Sequence, residues 1–178
     1  MATKKKAVSK KSTSKKSAKL LDLSQPIRVP IFGNKKLELM LEDIDEEDAD
    51  VQRAVRNLMA AKASVLTAAE KHVIAYRTDM HEMTEGEDDP PKKLKKPSDV
   101  WKEVSFGFEL GVSRIEKGPE AGVYLSLECN CKWEEEHGLQ LVLRDGKAIT
   151  KVGPFDGHVT NAHAYANKKL VGVVYRKH

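Results

Sequence analysis

No stretch of this 178-residue chain approaches the roughly 18 consecutive apolar residues of a membrane-spanning helix, and its start lacks the apolar core of a secretory signal. Neither export nor a membrane span is expected, and the cytoplasm is the expected location. Cysteine is scarce: Cys129 and Cys131 are the only two. Side chains two residues apart on a strand point the same way, so these two cannot bridge each other and read as free thiols, a usage that suits a reducing compartment. Acids are missing from residues 1 to 19, which hold eight lysines: Lys4, Lys5, Lys6, Lys10, Lys11, Lys15, Lys16 and Lys19. Arginine is missing there too, which argues against a mitochondrial presequence. The formal net charge of +4 therefore misleads, because beyond Lys19 the chain carries 23 basic against 27 acidic residues. Such a body is a poor surface for phosphate. The common catalytic signatures are absent as well: no phosphate-binding loop, no G-x-G-x-x-G, no G-x-S-x-G and no H-E-x-x-H.

What is present is mostly strand pattern. Val123, Leu125, Leu127, Cys129, Cys131 and Trp133 fall at every second position with polar residues between them, as on a strand with one face on a core and one in water. Leu139, Leu141 and Leu143 repeat the pattern, Asp145-Gly146 supplies a tight turn of positive φ, and Ile149 to Val152 returns. Upstream, Ile27, Val29 and Ile31 alternate, Phe32-Gly33-Asn34 turns, and Leu37, Leu39 and Leu41 alternate again. Pro30 places that first strand at a sheet edge or bulge. Phe106, Phe108, Leu110 and Val112 form a further alternating run.

Between these strands, Val51, Val55, Leu58, Val65, Ala69, Val73 and Tyr76 recur at helical spacing, with a break near residues 61 to 64. Ser64 is a candidate N-cap and Thr67 with Glu70 a candidate capping box. The pattern predicts an α+β fold: an antiparallel, twisted sheet of about five or six strands, packed on one face by helices from residues 49 to 84. Residues 1–25 read as a disordered Lys-rich tail, 26–178 as a single domain, and 86–97 as an exposed charged loop. Residues 153–167 read as irregular, and Leu170 to Tyr175 as a short strand or an apolar tether.

The densest polar cluster is Trp133, Glu134, Glu135, Glu136 and His137. Glu136 beside His137 has the composition of an acid/base pair, but neighbours on a strand face opposite ways, so a bend at Gly138 would be needed to unite them. Zinc would draw on Cys129, Cys131, His137, His158 and His163, yet a C-x-C on the apolar face of a strand fits two core thiols better than a metal knuckle. No metal and no cofactor are expected. The carboxylate run from Asp43 to Asp48 reads as a solvated loop and helix start. The lysine tail suits counterion release on a nucleic acid, and without interleaved aromatics that contact would be nonspecific.

The order hairpin, helical pair, loop, then strands carrying C-x-C-x-W-x-x-E-H-G-L resembles a bacterial family known as domain of unknown function 6985, over about residues 26–157. Trp133, Glu136, His137, Gly138 and Leu139, with Asp145-Gly146 and Val152-Gly153 after them, carry the resemblance. It implies the fold but no activity, and some members of the family look like small immunity or accessory proteins. The expectation is a non-enzymatic protein-binding module of the bacterial cytoplasm, with a toxin-neutralising immunity protein as its narrowest form. Its partner is an unidentified basic protein, met at Trp133 and Glu134 to His137. The competing expectation is a nucleic-acid-associated protein anchored nonspecifically by the tail.

Overall fold

The computed structural model describes residues 19–83 and 93–177. Six strands form one sheet in chain order, β1 (Ile27–Val29), β2 (Lys35–Leu41), β3 (Val104–Ile115), β4 (Gly122–Cys131), β5 (Glu134–Arg144) and β6 (Ala148–Gly153). Helices α1 (Ala49–Met59) and α2 (Ser64–Met83) lie in the connection from β2 to β3, and α3 (Asn161–Ala164) follows β6. The sheet is mostly antiparallel, as expected, but β2 and β3 run parallel. Parallel neighbours need a long crossover, and the two helices supply it.

One face of the sheet presents Leu37, Leu110, Val112, Leu125, Leu127, Leu139, Leu141 and Leu143 to the helices, all fully buried. Helix α1 answers with Val51, Ala54, Val55 and Leu58, and α2 with Ala69, Val73 and Tyr76. Apart from Ala54, these are the positions that the helical spacing singled out, with Val65 packed at the margin of the core. Cys129 and Cys131 are buried on that same face as free thiols. Asp145 and Gly146 have φ of 52° and 66°, and Lys147 N donates to Arg144 O at 3.1 Å, which closes the expected tight turn. A Cβ on Gly146 would stand 2.0 Å from the carbonyl oxygen of Ala54, so the turn admits helix α1 only because that side chain is missing.

Several boundaries differ from the sequence pattern. Strand β1 stops at Val29, because Pro30 starts a 3-10 turn that takes Ile31 out of the strand. Residues 19–25, expected in the tail, belong to the fold. Leu23 is buried, and the Leu21 amide donates to Gln52 Oε1 at 2.8 Å. Lys4, Lys5, Lys6, Lys10, Lys11, Lys15 and Lys16 lie outside the described residues, as do residues 86–92 of the charged loop; Lys19 is exposed. Ser64 is the first residue of α2 rather than its cap. The Thr67 hydroxyl bonds back to the carbonyl of Ala63, which leaves no capping box there. In β3 the register shifts between Phe106 and Leu110, and the displaced Phe108 is 62% exposed instead of buried. The C-terminal segment is a tether: the Val152 amide donates to Val174 O at 2.7 Å, occupying part of the outer edge of β6.

Asp48 caps α1, accepting from the amides of Asp50 and Val51 at 2.9 and 3.0 Å and pairing with Arg114 at 2.6 Å. The Val51 hydrogen bond leads the influences that hold its carboxyl below the ordinary range. Asp48→Ala should lower unfolding free energy by about 1–2 kcal/mol at neutral pH. A carboxylate depressed in the fold stabilises above its unfolded pKa of about 3.9 and loses that effect as pH falls through its folded value. Urea titrations should therefore show the gap between the two proteins at pH 7 and its shrinkage below about pH 4. The core thiols are pushed up by burial, Cys129 to about 12 and Cys131 to about 11. Iodoacetamide at pH 8 should leave both unmodified in the native protein and alkylate both in denaturant, read by mass spectrometry.

Candidate functional site

The hairpin from β4 to β5 does not run in even register. Cys129 pairs with Leu139, but Cys131 pairs with Glu134, so β5 carries three extra residues near its start. Gly138 makes this distortion possible with φ +59°, and a Cβ there would meet the carbonyl oxygen of Cys129 at 2.4 Å. The bend at Gly138 is thus present, but it unites a different pair from Glu136 and His137. The Glu134 carboxylate accepts from the amides of Glu136 and His137 at 2.8 and 3.1 Å, and its second oxygen lies 3.6 Å from His137 Nδ1. Glu135 and Glu136 point into solvent at the tip.

Trp133, expected as a contact residue, turns inward instead. It is 8% exposed and meets Tyr76 edge-on with ring centroids 6.1 Å apart. The Tyr76 hydroxyl donates to the carbonyl of Gly138 at 2.9 Å, so helix α2 grips the distorted hairpin from inside. The large apolar ring is worth more in the core than at the tip, which removes it from any surface.

The other face of the sheet is divided. Over β5 and β6 it is covered, and the cover is pinned by Lys151. This lysine faces away from the helices, opposite Val142, yet its side chain is 2% exposed. Its ammonium donates to Gln140 Oε1 at 2.6 Å, to the carbonyl of His158 at 3.0 Å and to the Asp156 carboxylate. All three donors are thereby used. Burial drives its pKa down and Asp156 opposes the shift. Nothing in the alternation flagged it, because an isolated lysine in a strand reads as solvent-facing.

The pinned segment borders a cleft of about 410 Å³ where His137 and His158 meet Met80, Met83, Phe155 and Tyr165. The Phe155 amide holds the carbonyl of His137 at 3.0 Å, and the Nδ1 of His158 lies 2.9 Å from the Asp156 carbonyl. Two imidazoles therefore share a cleft, each near a carboxylate, but among the described residues no three His, Cys, Asp or Glu side chains gather as a metal site would require. His163 lines a separate cleft beside Lys117 and Lys168, apart from the core thiols Cys129 and Cys131, so the zinc set named from sequence is scattered.

Over β2, β3 and β4 the same face is open. Register places Glu38 beside Glu109, Met40 beside Gly111, and Gly111 beside Ser126, while Glu128 faces Gln140. The small residues form the floor of a depression of about 190 Å³, with Met40, Glu42, Glu109, Glu128 and Phe155 around it. Glu38, Glu42, Glu109 and Glu128 are all exposed, and Met40 is 52% exposed. No ion pair engages any of these four carboxylates among the described residues. Sequence reasoning had the strands but not this cluster, because pairing β2 with β3 is what brings Glu38 and Glu42 to Glu109 and Glu128.

Lys151→Ala should lower stability by about 2–4 kcal/mol, since it strands the buried Gln140 oxygen and frees the Asp156 to His158 segment. Hydrogen exchange should then quicken at the amides of Phe155 and His158 more than in β4.

No helix among the described residues is long and apolar enough to cross a membrane. No curated protein and no solved structure matches the chain. The family described as Domain of unknown function (DUF6985) matches residues 11–159. That span takes in both the gripped β4–β5 hairpin and the open acidic half-sheet, and begins earlier than the resemblance from residue 26. With most of its length so matched, the chain belongs to the DUF6985 family, a domain of unknown function.

Proposed function

We propose that this protein is a non-enzymatic protein-binding module whose open half-sheet receives a cationic segment of a partner protein. The observation that carries the reading is a group of four exposed carboxylates: Glu42, Glu109 and Glu128 around a depression floored by Gly111, Ser113 and Ser126, and Glu38 beside Glu109 on the neighbouring strand. Like charges placed side by side on neighbouring strands destabilise the free protein by about 0.2–1 kcal/mol per pair, and a lysine or arginine between them reverses the sign. Met40 and Phe155 at the rim offer apolar surface to the aliphatic stem of such a side chain. The same face repels phosphate, so the observation favours a protein over a nucleic acid as the occupant. The contact surface is thereby moved from the hairpin tip at Glu134–His137 to the open strands. A role in the bacterial cytoplasm, with neutralisation of a basic toxin as its narrowest form, is part of this proposal.

A synthetic extended peptide of ten residues rich in lysine and arginine is the probe, with a glutamate-rich peptide as control, followed by calorimetry. Binding is expected at low ionic strength, weakened about tenfold in the Glu109→Gln, Glu128→Gln double variant by the loss of two charge contacts. Equal affinity for the two peptides, or for the variant, rules the reading out.

A further inference from the structure

We infer that the acidic half-sheet is regulated by the chain's own N-terminus, residues 1–18 competing as a cationic segment for the depression that a partner would fill. The inference rests on the reading of that face as a cationic-segment site. Residues 1–18 carry seven lysines and no acid, which matches the chemistry that Glu38, Glu42, Glu109 and Glu128 call for.

The place where the described chain begins makes the match geometric as well as electrostatic. The carbonyl of Lys19 accepts from Arg56 at 2.6 Å, and the Leu21 amide and carbonyl are both held by the Gln52 side chain. That same Gln52 amide donates to the carbonyl of Glu46 at 2.8 Å. Glu46 is four positions after Glu42, which lines the depression, and four residue steps span at most about 14 Å. The root is thus held on the helix side of the sheet, tied through Gln52 to the connection that leaves Glu42, and eighteen residues reach up to about 60 Å, enough to round the sheet and lie on its open face. Tethering at that range gives an effective concentration of millimolar order, enough for a weak charged contact that a free peptide of equal affinity would make only at high concentration.

Such a contact is screened within a Debye length of about 10 Å at 0.1 M salt, so the device opens with ionic strength or when a more cationic partner arrives. Asp48 and Asp50 take no part, being engaged by Arg114. Lys36 lies two residues from Glu38 on the same strand and makes no ion pair with it among the described residues, so it leaves the carboxylates available.

The experiment uses the full chain with Ser9→Cys carrying a nitroxide, the native thiols being shielded in the core. Amide resonances of Gly111, Ser113 and Ser126 should broaden at low ionic strength and recover in about 0.5 M salt, where the Debye length falls below about 5 Å. A mixture of isotope-labelled, nitroxide-free chain with unlabelled nitroxide chain should show no broadening, which assigns the contact to one molecule. Glu109→Gln with Glu128→Gln should abolish it. Absence of broadening at low salt overturns the inference, as does broadening confined to the mixture, which would make a second copy the occupant. Broadening that survives the double substitution overturns it too. The cationic peptide separates the two ideas. If it binds the full chain while no broadening occurs, self-docking fails and the protein-binding reading stands; if neither is seen, both fail.

Discussion

Lys151 is the constraint on which the second face of the sheet depends. Taking an ammonium out of water costs several kcal/mol unless every donor is met, and here the three acceptors come from Gln140, Asp156 and His158. One acceptor is on the neighbouring strand and two are on the segment after β6. Satisfying the charge therefore forces the chain to double back across the sheet directly after Gly153. From that return follow the cover over β5 and β6, the rim residue Phe155, and the position of His158 beside the cleft with His137. The uncovered strands β2 to β4 are what remains once this cover has been laid.

On the opposite face the organising contact is between Tyr76 and the distorted start of β5. A hairpin with three extra residues in one strand has surplus backbone groups to satisfy. Here the Gly138 carbonyl is met by the Tyr76 hydroxyl, and the amides of Glu136 and His137 are met by the Glu134 carboxylate. Burial keeps the phenol far from ionisation, its pKa being driven upward chiefly by desolvation, with the nearby Cys131 and Glu134 adding to the shift. Trp133 fills the space under the turn against the same ring. The cluster Trp133 to His137 is dense because the hairpin tip needs internal satisfaction, and that need accounts for Glu134 and Trp133 without any external ligand.

Strand and helix content was legible because burial imposes a period, two in a strand and 3.6 in a helix, and Leu125, Leu127, Val55 and Val73 keep to it. Direction and pairing were not, because alternation in β2 is the same whether its neighbour runs parallel or antiparallel. The exposure of Phe108 follows from a register shift that two interacting strands create together, which no single run of letters displays. Residues 19–25 read as tail because strand alternation starts only at Ile27, although Leu23 supplies a fully buried side chain. The acidic face escaped notice for the reason that β2–β3 pairing did: its carboxylates lie about seventy to ninety positions apart in sequence and meet only through the crossover. Conversely, the acidic run from Asp43 to Asp48 was conspicuous in sequence and proves partly structural, with Asp48 capping a helix and holding Arg114.

An exposed sheet face can be kept in solution by mixed charge, in which opposite signs alternate across strands and stabilise the pairing. The half-sheet of this protein departs from that solution. Glu38 and Glu109 stand side by side, Glu128 follows on the next strand, and Gly111 and Ser126 between them give the face neither bulk nor countercharge. Glycine in a strand loses packing and entropy, so its presence beside Met40 adds to the destabilisation rather than offsetting it. Two unfavourable choices made at one place, on a sheet whose other face is packed throughout, are what the proposed binding role would account for. A cationic side chain laid across Gly111 would meet carboxylates on both flanks and a floor low enough to admit its stem, converting both penalties into contacts.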